Sequence, residues 1–242
     1  EAVAQGLVKP KFESEAQKPT SASSIPGTLP SDDSVTAQFS QEFFKSYIDA
    51  GGQTMTASEQ QALLTKLMSS FVTRAEKVVV SPYTALSIHP DKNVTLLGYA
   101  QSVEAIIIAN DSPKGSESPL DLMDAYINAG DSSAGTKLSA LAKQYERVSA
   151  ALLALRVPPQ LSASHLLLLQ SFDSLARSTR LIANYQKDPI AVLGAVSMYQ
   201  PASTGVVTAL TDIATSILAQ GEPGQGTPGF IIVNFARSTQ AQ

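Results

Sequence analysis

The sequence predicts an all-α protein, a bundle of roughly eight helices with an extended N-terminal arm and a short C-terminal β-strand. Three observations predict it. Capping residues recur just ahead of apolar residues spaced three and four apart. Leu138, Leu141, Tyr145, Val148, Leu152 and Leu155 follow steps of three, four, three, four and three. That is the spacing of a seam that packs on another helix at a shallow angle. Finally, β-prone residues gather only in short runs, the strongest being Phe230, Ile231, Ile232, Val233, Asn234 and Phe235.

Taken in order, residues 19–34 hold thirteen Pro, Gly, Ser, Thr or Asp in sixteen positions, too little apolar surface to offset the entropy of ordering. Residues 1–31 therefore read as an arm. Asp32 or Asp33 caps a first helix with the stripe Val35, Phe39, Phe43 and Tyr47, stopped by Gly51-Gly52. Thr56 with Glu59 forms a capping box ahead of Leu64, Leu67, Met68 and Phe71. Val78 to Val80 and Tyr83 to Ile88 read as short β-prone pieces around Pro82. Asp91 or Asn93 opens a helix through Leu96, Tyr99, Val103 and Ile107, and Ser118-Pro119 opens another at Leu120.

The seam helix ends at Val157-Pro158-Pro159, and the short turn there predicts an antiparallel pair with a helix starting near Ser162. Asp188-Pro189 caps the next helix, and Ser203 or Thr204 a last one through Val207, Leu210, Ile213 and Ile217. The chain thus divides into the arm 1–31, a bundle domain 32–220, and a Gly/Pro connector with the terminal strand, 221–242.

Composition narrows the function. A net charge of −4 gives no basic face for nucleic acid or for an acidic membrane. The absence of cysteine removes disulfides, zinc thiolates and a thiol nucleophile. Residues 189–242 carry only three charged side chains, Asp212, Glu222 and Arg237, so much of that region is expected to be covered. Residues 189–211 are uncharged and long enough to span a bilayer, but Gln200, Pro201 and several Ser and Thr divide them. Two buried helices are expected there, not a transmembrane segment. A chain that begins at Glu1 fits one cut from an exported precursor, so an extracellular or cell-surface location is expected.

Motifs for chemistry are few. Residues 224–229 match G-x-G-x-x-G, but dinucleotide binding needs a strand before that loop and a helix after it. A helix before and a strand after are expected here. Residues 130–137 resemble a phosphate loop with the final Lys and Thr exchanged, and Asp131 would face the phosphates, so a capped turn is expected. His89 sits in a connection, and His165 lies between Leu161 and Leu168 on an apolar stripe, where packing is the expected role. Asn93-Val94-Thr95 and Asn110-Asp111-Ser112 are glycosylation sequons. No catalytic residue, cofactor or metal is expected.

Leu155-Arg156-Val157-Pro158-Pro159, His165-Leu166-Leu167-Leu168, Asp188-Pro189-Ile190-Ala191 and Tyr199 form a pattern that resembles exported helical proteins of uncultured, small-genome bacterial lineages. The resemblance covers residues 138–199. It implies an exported bacterial helical protein of the envelope, or one linked to secretion or pilus systems, and no catalytic residue.

The expected function is a non-enzymatic subunit of an extracellular or envelope assembly, a homo-oligomer or homopolymer up to a filament. Its expected contacts are Val3, Leu7 and Val8 of the arm and Phe230, Ile231, Ile232, Val233 and Phe235 of the strand, added to a neighbour's sheet edge. The alternative is a monomeric envelope-associated binding or scaffold domain, favoured if the terminal run pairs within its own chain. An enzyme of unrecognised type is a third reading.

Overall fold

A computed structural model describes residues 34–111 and 117–240. The expected arm, with Val3, Leu7 and Val8, lies outside the described residues. Among the described residues there are eight α-helices: α1 (Val35–Asp49), α2 (Ala57–Val79), α3 (Leu96–Ala109), α4 (Pro119–Ile127), α5 (Ser132–Leu153), α6 (Ser162–Ile182), α7 (Pro189–Leu218) and α8 (Phe230–Gln240). The all-α class holds. The strands are two-residue pieces, β1 (His89–Pro90) and β2 (Arg156–Val157), paired in parallel with His89 opposite Arg156.

Local chemistry starts most helices. Thr56 and Glu59 form the reciprocal capping box of α2. Ser118 caps α4 with Pro119 in its first turn, and the Asp131 carboxylate accepts from Ser133 N at 2.8 Å to open α5. Two caps fall elsewhere than expected. Ser34, not Asp32 or Asp33, caps α1, and Thr95, not Asp91 or Asn93, caps α3. Asp91 instead accepts from Asn93 N at 2.9 Å, closing the turn that leads in.

The seam packs as an antiparallel pair. Leu152 of α5 lies by His165 of α6, Tyr145 faces Phe172 with ring centroids 6.2 Å apart, and Glu146 pairs with Arg180. Leu138, Val148 and Leu152 are buried, while Leu141, Tyr145 and Leu155 are half-buried. Then α7 returns along α6, so that a Cβ added at Gly205 would meet Ser171 Oγ. Two groups of buried side chains result. One joins Tyr99, Val103, Leu152, Leu161, Leu168, Ile213 and Ile217. The other joins Val79, Leu122, Leu138, Leu175, Ile182 and Tyr199, with Phe172 and Val206 packed against both.

Two expectations about elements are corrected. Residues 189–218 form one helix, not two, and it continues through Pro201. Proline costs about 3 kcal/mol inside a helix because it cannot donate to the carbonyl four residues back. Packing of Ala195, Tyr199, Ala202, Ala209 and Ile213 on either side of it offsets that. α7 is long and apolar enough to cross a membrane by length and composition, yet it buries Ala191, Ala195, Ala209, Ile213 and Ile217 against the bundle as a core helix does. Val78 and Val79 are also not strand but the last turn of α2, with Val79 buried. Residues 83–88 form a 3-10 turn, Ala85–Ser87, and its flanks.

Asp188 ties the first helix to the bundle. Its carboxylate caps α7 by accepting from Ala191 N at 3.3 Å. It also accepts from Val35 N at 2.8 Å, Thr36 N at 2.9 Å and Thr36 Oγ1 at 2.6 Å. One carboxylate thus satisfies free amides, and meets the positive dipole ends, of two helices.

The α2–α7 contact depends on a glycine. A Cβ at Gly194 would lie 2.5 Å from the Ala75 carbonyl carbon and the Glu76 nitrogen. Backbone cannot yield there without moving a helix. Gly194→Ala is expected to cost about 1–3 kcal/mol, against the gain of up to ~1 kcal/mol that the same change gives an exposed helix. Urea unfolding measures it, and a stabilised variant would contradict this packing.

Candidate functional site

The terminal run expected to be an interface strand is a helix packed in its own chain. Ile232, Val233 and Ala236 of α8 are buried in the same core as Tyr99, Leu210 and Ile217, Phe230 is half-buried, and Ile231 and Phe235 are exposed. The spacing 232, 233, 236 is a helical face. The physical reason lies far away in sequence. The Glu104 carboxylate of α3, itself buried, accepts from Ile231 N at 2.8 Å and Ile232 N at 3.2 Å. These are first-turn amides that no intrahelical carbonyl can take, and a carboxylate also suits the positive end of the helix. Strand propensity depends on having a sheet to join, and among the described residues the strands are the two-residue pieces β1 and β2, already paired with each other. The signal in the sequence was Glu104 itself, the single charge in the apolar stretch 96–109. A charge so placed requires a partner.

This also corrects the reading of residues 224–229, because a helix, not a strand, follows them. The preceding element is still the helix α7, and Glu104 occupies the α8 N-terminus where a phosphate would sit. In the other loop, Asp131 caps α5, its carboxyl held below the usual range by its hydrogen bonds to Ser133.

The two histidines are in contrasting settings. His89 is exposed on β1. His165 is completely buried, with Nδ1 2.9 Å from Tyr99 Oη and the rings edge to face. Burial lowers its pKa to about 4, partly opposed by the Leu152 backbone, and burial raises the Tyr99 phenol well above its usual range. His165 is therefore neutral at pH 7 and can accept the Tyr99 proton at Nδ1. Among the described residues, no group of three or more His, Asp or Glu is placed to hold a metal. Asn93 of the first sequon is exposed, and Ser112 of the second lies outside the described residues.

The hairpin of α1 and α2 shows a different character. Phe39, Phe43 and Tyr47 stack along α1 with centroids 6.0 and 6.1 Å apart, and Phe39 meets Phe71 edge-on at 5.1 Å. Arg74 lies over Phe71 and pairs with Glu42 at 2.7 Å. This ladder holds the two helices together, yet α1 has no buried residue among its apolar side chains. Phe44 is 63% and Ile48 71% exposed, one helical turn apart on the outer face, and Leu64 of α2 is also exposed. Sequence periodicity identified the inner stripe of α1 and missed this outer pair. Its signal is Phe44 and Ile48 at i, i+4, offset from Phe39 and Phe43. Comparison of the chain with protein-family models, with curated proteins and with solved structures found no match.

Proposed function

We propose that this protein is a non-catalytic helical binding or scaffold domain of the cell envelope or cell surface, acting through protein contacts. The observation that carries the reading is the α1–α2 hairpin, which spends an aromatic ladder on rigidity and then presents Phe44 and Ile48 to solvent. Large apolar side chains grouped on an outer face are the usual anchors of protein interfaces. Because the terminal run packs within its own subunit, strand addition between copies no longer supports a filament. An assembly subunit remains the second reading. It is favoured by the outer face of α7, where exposed Leu193, Val196, Gln200, Thr204 and Thr208 include no charge.

A photo-crosslinking residue placed at position 44, with one at exposed Lys143 as control, tests the hairpin in native envelope material. Discrete adducts are expected from position 44 alone, and Ile48→Asp should abolish them while leaving folding stability within about 0.5 kcal/mol. Equal labelling from both positions would sink the reading, and so would a core-like stability loss in Ile48→Asp. Light scattering then separates the second reading, which requires large particles from purified protein.

A further inference from the structure

The described chain begins at Ser34, and its first residues are held at one end of α7. Asp188, the cap of α7, accepts from Val35 N at 2.8 Å and Thr36 N at 2.9 Å, and Ile190 N donates to Thr36 Oγ1 at 3.0 Å. Residues 1–33 therefore join the bundle beside the first turn of α7. Two sides of that helix are already taken, since Gly194 is closed against Ala75 and Glu76 of α2, and Gly205 against Ser171 of α6. A third side faces out and starts within two turns of the junction. There Leu193 is 45% and Val196 48% exposed, followed by exposed Gln200, Thr204 and Thr208.

The arm matches this face in charge and in length. Residues 19–31 carry no charged side chain, and neither do residues 189–211. The charges that bound the two stretches are opposite. At the near end, Asp32 and Asp33 precede Ser34, while exposed Lys187 precedes Asp188. At the far end, Lys18 bounds the arm's uncharged stretch and exposed Asp212 bounds that of α7. The 24 steps from Asp188 to Asp212 rise about 36 Å along a helix. The 16 steps from Ser34 back to Lys18 reach up to about 50 Å in an extended, proline-bearing chain. Apolar side chains fall within reach as well. Leu29 extends up to about 15 Å from Ser34 and Ile25 up to about 28 Å, whereas Leu193 and Val196 lie roughly 7 to 12 Å along α7, and Gln200 and Thr204 roughly 18 to 24 Å. Leu29 and Ile25 each precede a proline, Pro30 and Pro26, which favours the extended backbone that such a contact uses.

We propose that residues 19–31 lie along the outer face of α7 in their own chain, with Leu29 against Leu193 and Val196, and Ile25 near Gln200 and Thr204. Lys187 then meets Asp32 and Asp33 at one end, and Asp212 meets Lys18 at the other. An uncharged segment on an uncharged face leaves no ionised group to desolvate between them. The arm is tethered at Ser34, so the contact forms without the cost of bringing two molecules together, and a modest affinity is enough. The face that favours an assembly subunit is thereby covered within the single chain. The contact goes beyond the hairpin reading and uses another surface, so either can fail alone.

Paramagnetic broadening of amide signals in the full chain tests it. The chain has no cysteine, so Ser23→Cys gives a single place for a nitroxide label. In dilute solution the signals of residues 200–208 should be lost on labelling and return when the nitroxide is reduced, while those of residues 39–48 persist. Adding Ile25→Asp and Leu29→Asp to the labelled chain should restore the α7 signals and leave the helical shifts unchanged. A spin-labelled chain mixed with isotope-labelled wild type should cause no loss. Intact α7 signals in the labelled chain would overturn the proposal, as would losses spread evenly over the exposed residues or confined to the α1–α2 hairpin. So would losses indifferent to the two Asp substitutions, or equal losses in the mixture, which would place the arm on a neighbour.

Discussion

Lowering the pH from 7 to 4 is expected to remove about 3 kcal/mol of folding stability through His165 alone. In the unfolded chain the imidazole titrates near its ordinary value of 6.5, while burial holds the folded-state pKa at about 4. Between those values the unfolded state binds a proton and the folded state does not, so stability rises with pH across that window. The contribution is complete above 6.5 and is lost as pH falls toward 4. The Glu59 and Asp131 carboxyls, whose pKa values are held low by hydrogen bonds to Thr56 and Ser133, add their own loss of stability only at the acid end, where the unfolded carboxyls begin to take up protons. Chemical denaturation at a series of pH values should show the slope in the wild type and its loss in His165→Gln, which has no proton to take up. That variant should also be less stable at pH 7, because it disturbs the Tyr99 hydrogen bond. A wild type flat from pH 6.5 to 4, or the same slope in the variant, would show that His165 is reached by water.

Leu152→Ala is expected to cost about 2–5 kcal/mol. Leu152 is 1% exposed at the end of α5, where it shares a core with Tyr99, Leu161, Leu168 and Ile213. Its neighbours come from several helices, so they cannot all collapse into the space left, and the cavity adds to the lost transfer energy. Lys143→Ala, on the exposed side of the same helix, should change stability by less than about 0.5 kcal/mol. Urea unfolding with an unchanged slope would check both. A loss at Leu152 no larger than at Lys143 would mean that the α5–α6 seam does not bear on the core.

The helices readable in the sequence were those whose start is encoded within three residues of itself. Thr56 with Glu59, Ser118 with Pro119, and Asp131 each answer local amides, and the three-four spacing of 138–155 marks a seam wherever it packs. The two misplaced caps are local, since Ser34 and Thr95 stand among other capping residues and each accepts from an amide three residues on. The errors about whole elements share another cause, a distant partner. Val78 and Val79 are β-branched, but Val79 packs in a core with Ala195 and Tyr199 of α7 and so holds the last turn of α2 helical, while Val78 faces solvent. Pro201 looks like a break until packing along both flanks of α7 is considered. Asp188 reads as the cap of one helix and serves two, because Thr36 lies beside it in space, 152 residues away. The run at 230–235 has strand propensity, yet Glu104, 127 residues earlier, takes up its first free amide. The outer pair Phe44 and Ile48 was legible as spacing, but only its exposure gives it meaning.

The account turns on residues 230–240 being a helix that completes the core of their own chain, not a strand offered to a neighbour. The Cα chemical shifts of Ile231 to Thr239, recorded in dilute solution, test this most directly. Helical shifts that do not change on further dilution are the expected result, and Glu104→Ala should move them toward random coil while α5 and α6 keep theirs. Extended-strand shifts would contradict the account, as would helical shifts that appear only at concentrations where the chains associate.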